Sequence, residues 1–411
     1  MKKIVIMDAF STMHVGNGAL LENSIKVCEK AYPNSEITIL TLDKKTNEKK
    51  YKNIEMTLFG TFAVKQPKYK QIIWGIQQVL FMFFQTLNIL TIKINPAKIG
   101  FNQDHKNAMR AIQESDICIS ITGEALNDNV YKALYFWLFS YWMVIGYGKK
   151  FILFPQSIGP LEKTINKKLV FFALKNASLL VGRDKKSYEK LIDLGFDEKK
   201  VLYSPDVAIL QDINTSFAID QYFTDENIKK VIGITVSKIP NEIETNIDFI
   251  EKIVSSVKQV LDPNEYRILL MPSNYYPASE SPDYQLCKRV QIELNDKYET
   301  AILSLDPLFP DDYKSLLCQL EVFITTRMHV AILATSGYIP TIAINTQHKI
   351  RGYMKNIDME QYCLDFDDLD DLSDVLKKSL VENKKIREDL QNNLESMHKD
   401  LENFIKKFGS I

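Results

Sequence analysis

The chain has 411 residues, of which 45% are apolar and 25% charged, and its 51 basic and 52 acidic side chains give a formal net charge of −1. That length is too great for one ordinary core and suits two domains of about 200 residues each. The balanced charge excludes a global field for nucleic acid, and five scattered cysteines without a C-x-x-C pair exclude a disulfide framework and a zinc ribbon.

The opening run, MKKIVIMDAF, is too short for a signal peptide and contains Asp8, so it reads as a buried first strand over 3–7. Small and polar residues follow over 9–18, then helical apolar spacing over 19–31 and a second strand over 37–42. Further strands are expected over 116–122, 151–154, 179–181 and 201–203, with a helix over 185–194 that Gly195 ends as a C-cap residue. The polar stretch 212–230 reads as a linker. A second series then begins: strands over 231–236, 267–271, 300–303, 322–325 and 341–344, helices over 247–261, 284–294, 312–320 and 329–336, and a charged helical region over 372–407.

Strands alternating with helices twice over predict an α/β protein of two Rossmann-like, doubly wound parallel sheets. The expected division is an N-terminal domain over 1–211, a linker over 212–230, a C-terminal domain over 231–371 and a helical region over 372–411. Ligands in such sheets bind beyond the carboxyl ends of strands, and with two domains the cleft between them is the expected site. Two apolar segments, 72–94 and 134–145, interrupt the pattern. The first is read as a helix packed within the protein or against a second copy of the chain, because Gln77, Gln78, Gln85 and Asn88 interrupt it. A peripheral contact with a membrane carrying lipid-linked substrate is the other reading.

The chemistry concentrates at strand ends. In Phe323-Ile-Thr-Thr-Arg327-Met328-His329 a strand runs straight into a helix. The unpaired N–H groups of a helix start favour an anion, and arginine adds a fork matched to carboxylate or phosphate. His329 can carry a proton near neutral pH. The same residues also fit a salt-bridged arginine and a helix-capping histidine. Gln156-Ser157-Ile158-Gly159-Pro160 follows one strand, Arg183-Asp184 follows the next with Asp184 a candidate N-cap, and Asp206 lies in another loop. Thr346-Gln347-His348-Lys349 closes the set, and no His/Asp metal cluster stands out.

The ordered segments GNGALLENS, SITGEALND, FPQSIGP, VGRDKKSYEKLIDLGF, SPDVAIL and TTRMHVAILATSGYIPTIAINTQHK resemble the polysaccharide pyruvyltransferase family from about residue 3 to about residue 360. The resemblance implies a fold like that of GT-B glycosyltransferases, phosphoenolpyruvate as donor, no metal or other cofactor, and a sugar or lipid-linked oligosaccharide as acceptor. The scattered cysteines, read as reduced thiols, point to a cytoplasmic protein, at the inner face of the membrane if it docks there. The resemblance further implies Arg183 and Arg327 as anion-holding residues and His329 as catalytic acid or base, with Met328, Gln156, Ser157, Lys349, Asn17 and Glu124 around the substrates. His14 and His105 are the other candidate acids. Two departures touch the acceptor side: Gly16-Asn17-Gly18-Ala19 lacks the family's aspartate, and Glu124 follows Gly123 where a second glycine usually stands. A GT-B glycosyltransferase using a nucleotide sugar and a non-catalytic ligand-binding homologue are the alternatives.

Overall fold

A computed structural model describes residues 1–59, 67–224, 229–237, 245–275, 281–306, 308–346 and 349–411. His348, singled out above, and residues 225–228 of the expected linker lie outside the described residues. The chain divides into two compact units, each built on its own sheet.

Unit 1 comprises Met1–Ser11, Leu20–Val207 and Asp400–Ile411. Its elements are β1 (Lys3–Ala9), α1 (Val15–Ala31, from Leu20 onward), β2 (Glu36–Thr41), α2 (Lys44–Asn47), β3 (Ile54–Met56) and α3 (Lys68–Leu87). These are followed by α4 (Gln103–Glu114), β4 (Ile117–Ser120), α5 (Tyr131–Gly146), β5 (Lys150–Gln156), α6 (Thr164–Leu174), β6 (Leu179–Gly182), α7 (Lys185–Asp193) and β7 (Val201–Tyr203). The described strands pair in parallel in the order β3-β2-β1-β4-β5-β6-β7. Helices cover both faces of a parallel sheet, so its central strands are apolar on both sides. β1 and β4 are accordingly near-continuous runs of Ile, Val, Met and Cys. Val5, Met7, Cys118 and Leu153 pack with Met109, Ile112, Leu138 and Tyr141 in one core cluster. Phe154 is flanked by Phe404 and Phe408, each ring centroid 5.2 Å away, which binds the end of the chain to this unit.

Unit 2 comprises Thr12–Ala19 and Ala208–Lys399. Its elements are β8 (Lys230–Thr235), α8 (Thr245–Val260), β9 (Tyr266–Leu270), α9 (Pro282–Leu294), β10 (Thr300–Ile302) and α10 (Pro310–Leu317). There follow β11 (Val322–Thr325), α11 (Met328–Thr335), β12 (Thr341–Asn345), α12 (Lys349–Asn356), β13 (Cys363–Asp365), α13 (Leu372–Val381) and α14 (Asn383–Gly409), whose last turns belong to unit 1. The strand order is β10-β9-β8-β11-β12-β13, again parallel. Strand order therefore reverses between β1 and β4 in unit 1 and between β8 and β11 in unit 2, the two switch points where such sheets open a crevice at their carboxyl ends.

Besides the split of the expected helical region 372–411, whose residues 400–411 join unit 1, the division departs from the expected one in two places. It falls after Val207 rather than within 212–230, and Thr12–Ala19 belongs to unit 2 although it follows the first strand of unit 1. The backbone explains the second difference. The Val15 N–H donates to the Ser273 carbonyl at 2.9 Å, the Tyr275 N–H donates to the Met13 carbonyl at 2.9 Å, and His14 forms a bridge to Asn274. The segment is thus held as an extra piece of backbone beside the loop after β9. The strands β3 and β13, three residues each, were not expected, because so short a run carries no readable period.

The segment 72–94 is helical, within α3 and a π-helical turn over Asn88–Ile92. The rest of the described chain does not cover its apolar side, so packing within the protein, one of the two expected forms of burial, is not what holds it. Ile72, Ile73, Ile76, Val79, Phe83 and Leu90 are all more than half exposed. The buried side of this helix includes its polar residues: Gln78 meets His105 Nε2 at 3.1 Å, Gln85 donates to the Pro96 carbonyl, and Asn88 donates to the Tyr147 hydroxyl at 3.0 Å. Of the polar residues read as interruptions of an apolar surface, Gln78, Gln85 and Asn88 fasten the helix to the protein.

Candidate functional site

In unit 2, β11 ends at the switch point, and Arg327 is the N-cap residue of α11. Its Nη2 donates to Asp283 Oδ1 at 2.6 Å and its Nε to Asp283 Oδ2 at 3.2 Å, a two-bond fork that leaves Nη1 outside. Asp283 lies in the first turn of α9 and is fully buried, and it also accepts from Ser273 Oγ at 3.2 Å. Burial pushes its carboxyl above the usual range, although Arg327 and Ser273 pull it down. The side chain of Arg327 keeps 25% exposure. Next to it in the chain, Thr326 Oγ1 and Ser237 Oγ share a hydrogen bond of 2.8 Å, and Thr346 Oγ1 donates to the Thr326 carbonyl at 3.2 Å, tying the loops after β8, β11 and β12 together.

His329 stands in the first turn of α11, partly exposed, while Met328 is buried, so the latter can offer a ligand its backbone N–H rather than its side chain. The first turn of α1 closes on His329: a Cβ added at Gly16 would stand 2.5 Å from His329 Cβ. Glycine is what permits that approach. His14 lies near the same groups. Burial, then the charges of Arg327, His329 and Lys349, depress its pKa well below the ordinary imidazole value, so it is neutral at pH 7. Its Nδ1 is covered and without a hydrogen-bond partner among the described residues. Asn17 is on the same turn. By sequence it lies in the N-terminal half read as the acceptor side; in the structure its segment belongs to unit 2, where Gly16 closes on His329 and His14 lies near Arg327, His329 and Lys349.

In unit 1 the expected loops form a dense polar network at the carboxyl ends of β4 to β7. Gln156 is buried, and its Oε1 accepts from Thr122 Oγ1 at 3.2 Å and from the Ala125 N–H at 3.1 Å. The Ser157 N–H donates to the Gly123 carbonyl. Glu124 accepts from Asn127 Nδ2 at 2.8 Å and is partly exposed. Arg183 is buried: its Nη1 donates to Asp206 at 3.0 Å, its Nε to Ser157 Oγ at 2.8 Å, and its own N–H to the Gln156 carbonyl. Asp184 caps α7 through the Ser187 N–H at 2.7 Å, as its position suggested. Arg183 thus stands two strands away from the switch point with its charge matched inside the fold.

Sequence reasoning passed over Asp8 and Asp283. Asp8 is the penultimate residue of β1, at the switch point of unit 1, with a left-handed backbone at φ 63°. Ser120 Oγ, from the end of β4, donates to it at 2.8 Å and also meets the Tyr141 hydroxyl at 2.9 Å. Burial raises its pKa to about 6, against the pull of those two hydroxyls. The signal available was a lone acid near the end of an apolar strand. Asp283 gave no signal, since it lies 44 residues from its arginine. His105, the other alternative acid, is packed on Phe81 at 4.1 Å and bonded to Gln78, with burial lowering its pKa to about 4.

Comparison with known proteins adds independent findings. The family model for polysaccharide pyruvyl transferase matches residues 14–348. The chain is 24% identical over 241 residues to the amylovoran biosynthesis protein AmsJ of Erwinia amylovora, a match that spans 56% of this chain and 57% of that protein. Among solved structures, the fold is similar to UDP-GlcNAc 2-epimerase from Methanocaldococcus jannaschii, with TM-score 0.57, 12% identity and coverage of 92% of this chain and 93% of that one. HepE of Anabaena, solved with UDP-glucose, gives TM-score 0.55 at 12% identity, covering 100% and 98% of the two chains. The lipopolysaccharide outer core galactosyltransferase WaaB gives 0.52 at 11%, covering 100% and 99%. At such identities these likenesses speak for the fold, which is GT-B-like.

Proposed function

Because the chain belongs to the polysaccharide pyruvyl transferase family, we propose that it transfers the pyruvyl group of phosphoenolpyruvate to a sugar of a cell-surface glycan or its precursor, forming a pyruvate ketal. The observation that carries this reading is the arginine fork at the unit 2 switch point: a buried Asp283 holds Arg327 in one orientation, with His329 two residues on and Lys349 nearby. A donor with a carboxylate and a phosphate needs fixed cations, and preorganised charge is usually the largest contribution available to such a site.

In the proposed reaction Arg327 and Lys349 hold the donor anion, and the first-turn N–H groups of α11 assist. His329 delivers a proton to the methylene carbon, C2 gains oxocarbenium character, and a sugar hydroxyl adds there as phosphate departs. A neighbouring hydroxyl closes the ketal. Of the two hydroxyl protons, one ends on the new methyl group and the other on phosphate. His14, neutral at pH 7, adds no competing charge to the cluster. Arg183 is proposed to position the loops after β5, β6 and β7 rather than to touch the donor, since Asp206 and Ser157 already occupy it. Glu124 is proposed as a sugar-hydroxyl ligand. The scheme uses no metal and no resident cofactor.

The test is titration with phosphoenolpyruvate and with nucleotide sugars, followed by phosphate release and acceptor mass gain in the presence of glycans. Phosphoenolpyruvate should bind alone and turn over with acceptor. Turnover of a nucleotide sugar without phosphoenolpyruvate would establish a glycosyltransferase instead. Binding of phosphoenolpyruvate without turnover on any glycan would favour a ligand-binding homologue.

A further inference from the structure

We infer that the face of unit 1 formed by α3, α5 and α6 is a docking surface for an anionic lipid bilayer, on which α3 lies in the plane of the interface. α3 is inside out. Ile72, Ile76, Val79 and Phe83 recur at helical spacing on its outer side and Leu90 follows in the π-helical turn, and with Ile73 they are 51–66% exposed. The amides of Gln78 and Gln85, and of Asn88 just after the helix, point inward, to His105, the Pro96 carbonyl and Tyr147. A helix facing water would show the reverse pattern.

The apolar surface continues across the neighbouring helices. Trp74 of α3 meets Phe136 of α5 at 6.0 Å between ring centroids, and Trp142 of α5 stacks on Phe172 of α6 at 6.4 Å. Phe172 is 52% exposed and Ile165, on the same helix, 58%. Amphipathic aromatics such as Tyr69 and Trp74 suit the headgroup boundary.

Charge identifies the occupant. In a chain with 52 acids, α3, α5 and α6 contain no aspartate or glutamate. Lysines stand at the margins instead: Lys68 and Lys70 at the start of α3, Lys93 and Lys98 after it, and Lys168 and Lys175 at α6, all exposed. They stand at the ends because the polar side of α3 is already bonded to the protein. An acid-free apolar face edged with lysine complements anionic headgroups. Two copies meeting through it would set lysine against lysine, since a two-fold interface presents the same patch twice. α3 together with the following turn is also long and apolar enough to cross a membrane. The hydrogen bonds of Gln78, Gln85 and Asn88 keep it on the fold, which favours lying on the bilayer over spanning it. Docking would present the protein to a lipid-linked acceptor, a consequence that alone rests on the transfer reading.

The experiment is flotation of the full chain with vesicles, which is read without turnover. With mixed phosphatidylglycerol–phosphatidylcholine vesicles the protein should float, less so as salt rises. The triple variant Ile76→Asp/Val79→Asp/Phe83→Asp should remain at the bottom, its apparent partition coefficient lower by about 100-fold or more, while its circular dichroism and its turnover of soluble acceptor match the parent. Failure of the parent to float at low salt would overturn the proposal. So would a parent dimer in sedimentation that the triple variant converts to monomer without any vesicle binding, which would assign the face to a second copy.

Discussion

Arg183 and Arg327 occupy the same local position, the turn from a parallel strand into a helix, and the fold gives them opposite surroundings. Arg183 follows β6, away from the strand-order reversal, and its side chain is 5% exposed and paired with an Asp206 that is 3% exposed. Arg327 follows β11 at the reversal, keeps 25% exposure, and is held by a single buried carboxylate that leaves part of the guanidinium outward. One arginine completes a network, whereas the other is held in place with capacity to spare. A residue type at a strand end therefore does not define its role. Position relative to the switch point does much more, because only there do loops diverge and leave space for a ligand.

The largest expected effects would break that contrast at Arg327 and His329. His329→Ala should lower kcat about 10²–10⁴-fold with the donor KM nearly unchanged, the usual worth of a general acid. Arg327→Lys keeps a cation beside Asp283 but loses the fork, so it should fold normally and raise the donor KM. A folded His329→Ala protein turning over at the parent rate would remove that histidine from the mechanism. Arg183→Ala should instead act on folding. Leaving Asp206 buried without its arginine costs about 3–5 kcal/mol, visible as a lower denaturation midpoint, while Arg183→Met/Asp206→Leu should recover much of it. An Arg183→Ala protein of parent stability with a raised donor KM would return Arg183 to the binding site.

Gly16→Ala sharpens the comparison from the other side. In the first turn of α1 alanine brings only part of its helix-interior advantage over glycine, and the added methyl collides with His329. Activity should fall by roughly tenfold, through kcat more than KM, and the melting temperature should fall too, because the root of the His329 side chain cannot swing clear of the methyl. The smallest effect concerns Asp8. Its folded pKa of about 6 lies above the ordinary carboxyl value, so the folded state binds the proton more tightly. Its contribution to stability is full below about pH 4 and is lost as pH rises through about 6, roughly 1 kcal/mol between pH 5 and pH 7. Asp8→Asn, which tolerates the left-handed backbone, should flatten that part of the stability profile in thermal melts.

From the sequence alone the alternation of strands and helices, the two parallel sheets, the order of the polar loops and the family resemblance were legible. Each of these is carried by period, by punctuation or by motifs that stay local along the chain. Only the tertiary structure decided that residues 12–19 join unit 2 and lie beside His329, and that Asp283 and Asp206 partner the two arginines. It also turned the apolar side of α3 away from the rest of this chain, where packing within the protein was one of the two expectations. The physical reason is common to all of these. A side chain's neighbours across tens or hundreds of residues are set by which strands pair, and pairing order leaves no mark in the spacing of residues around it.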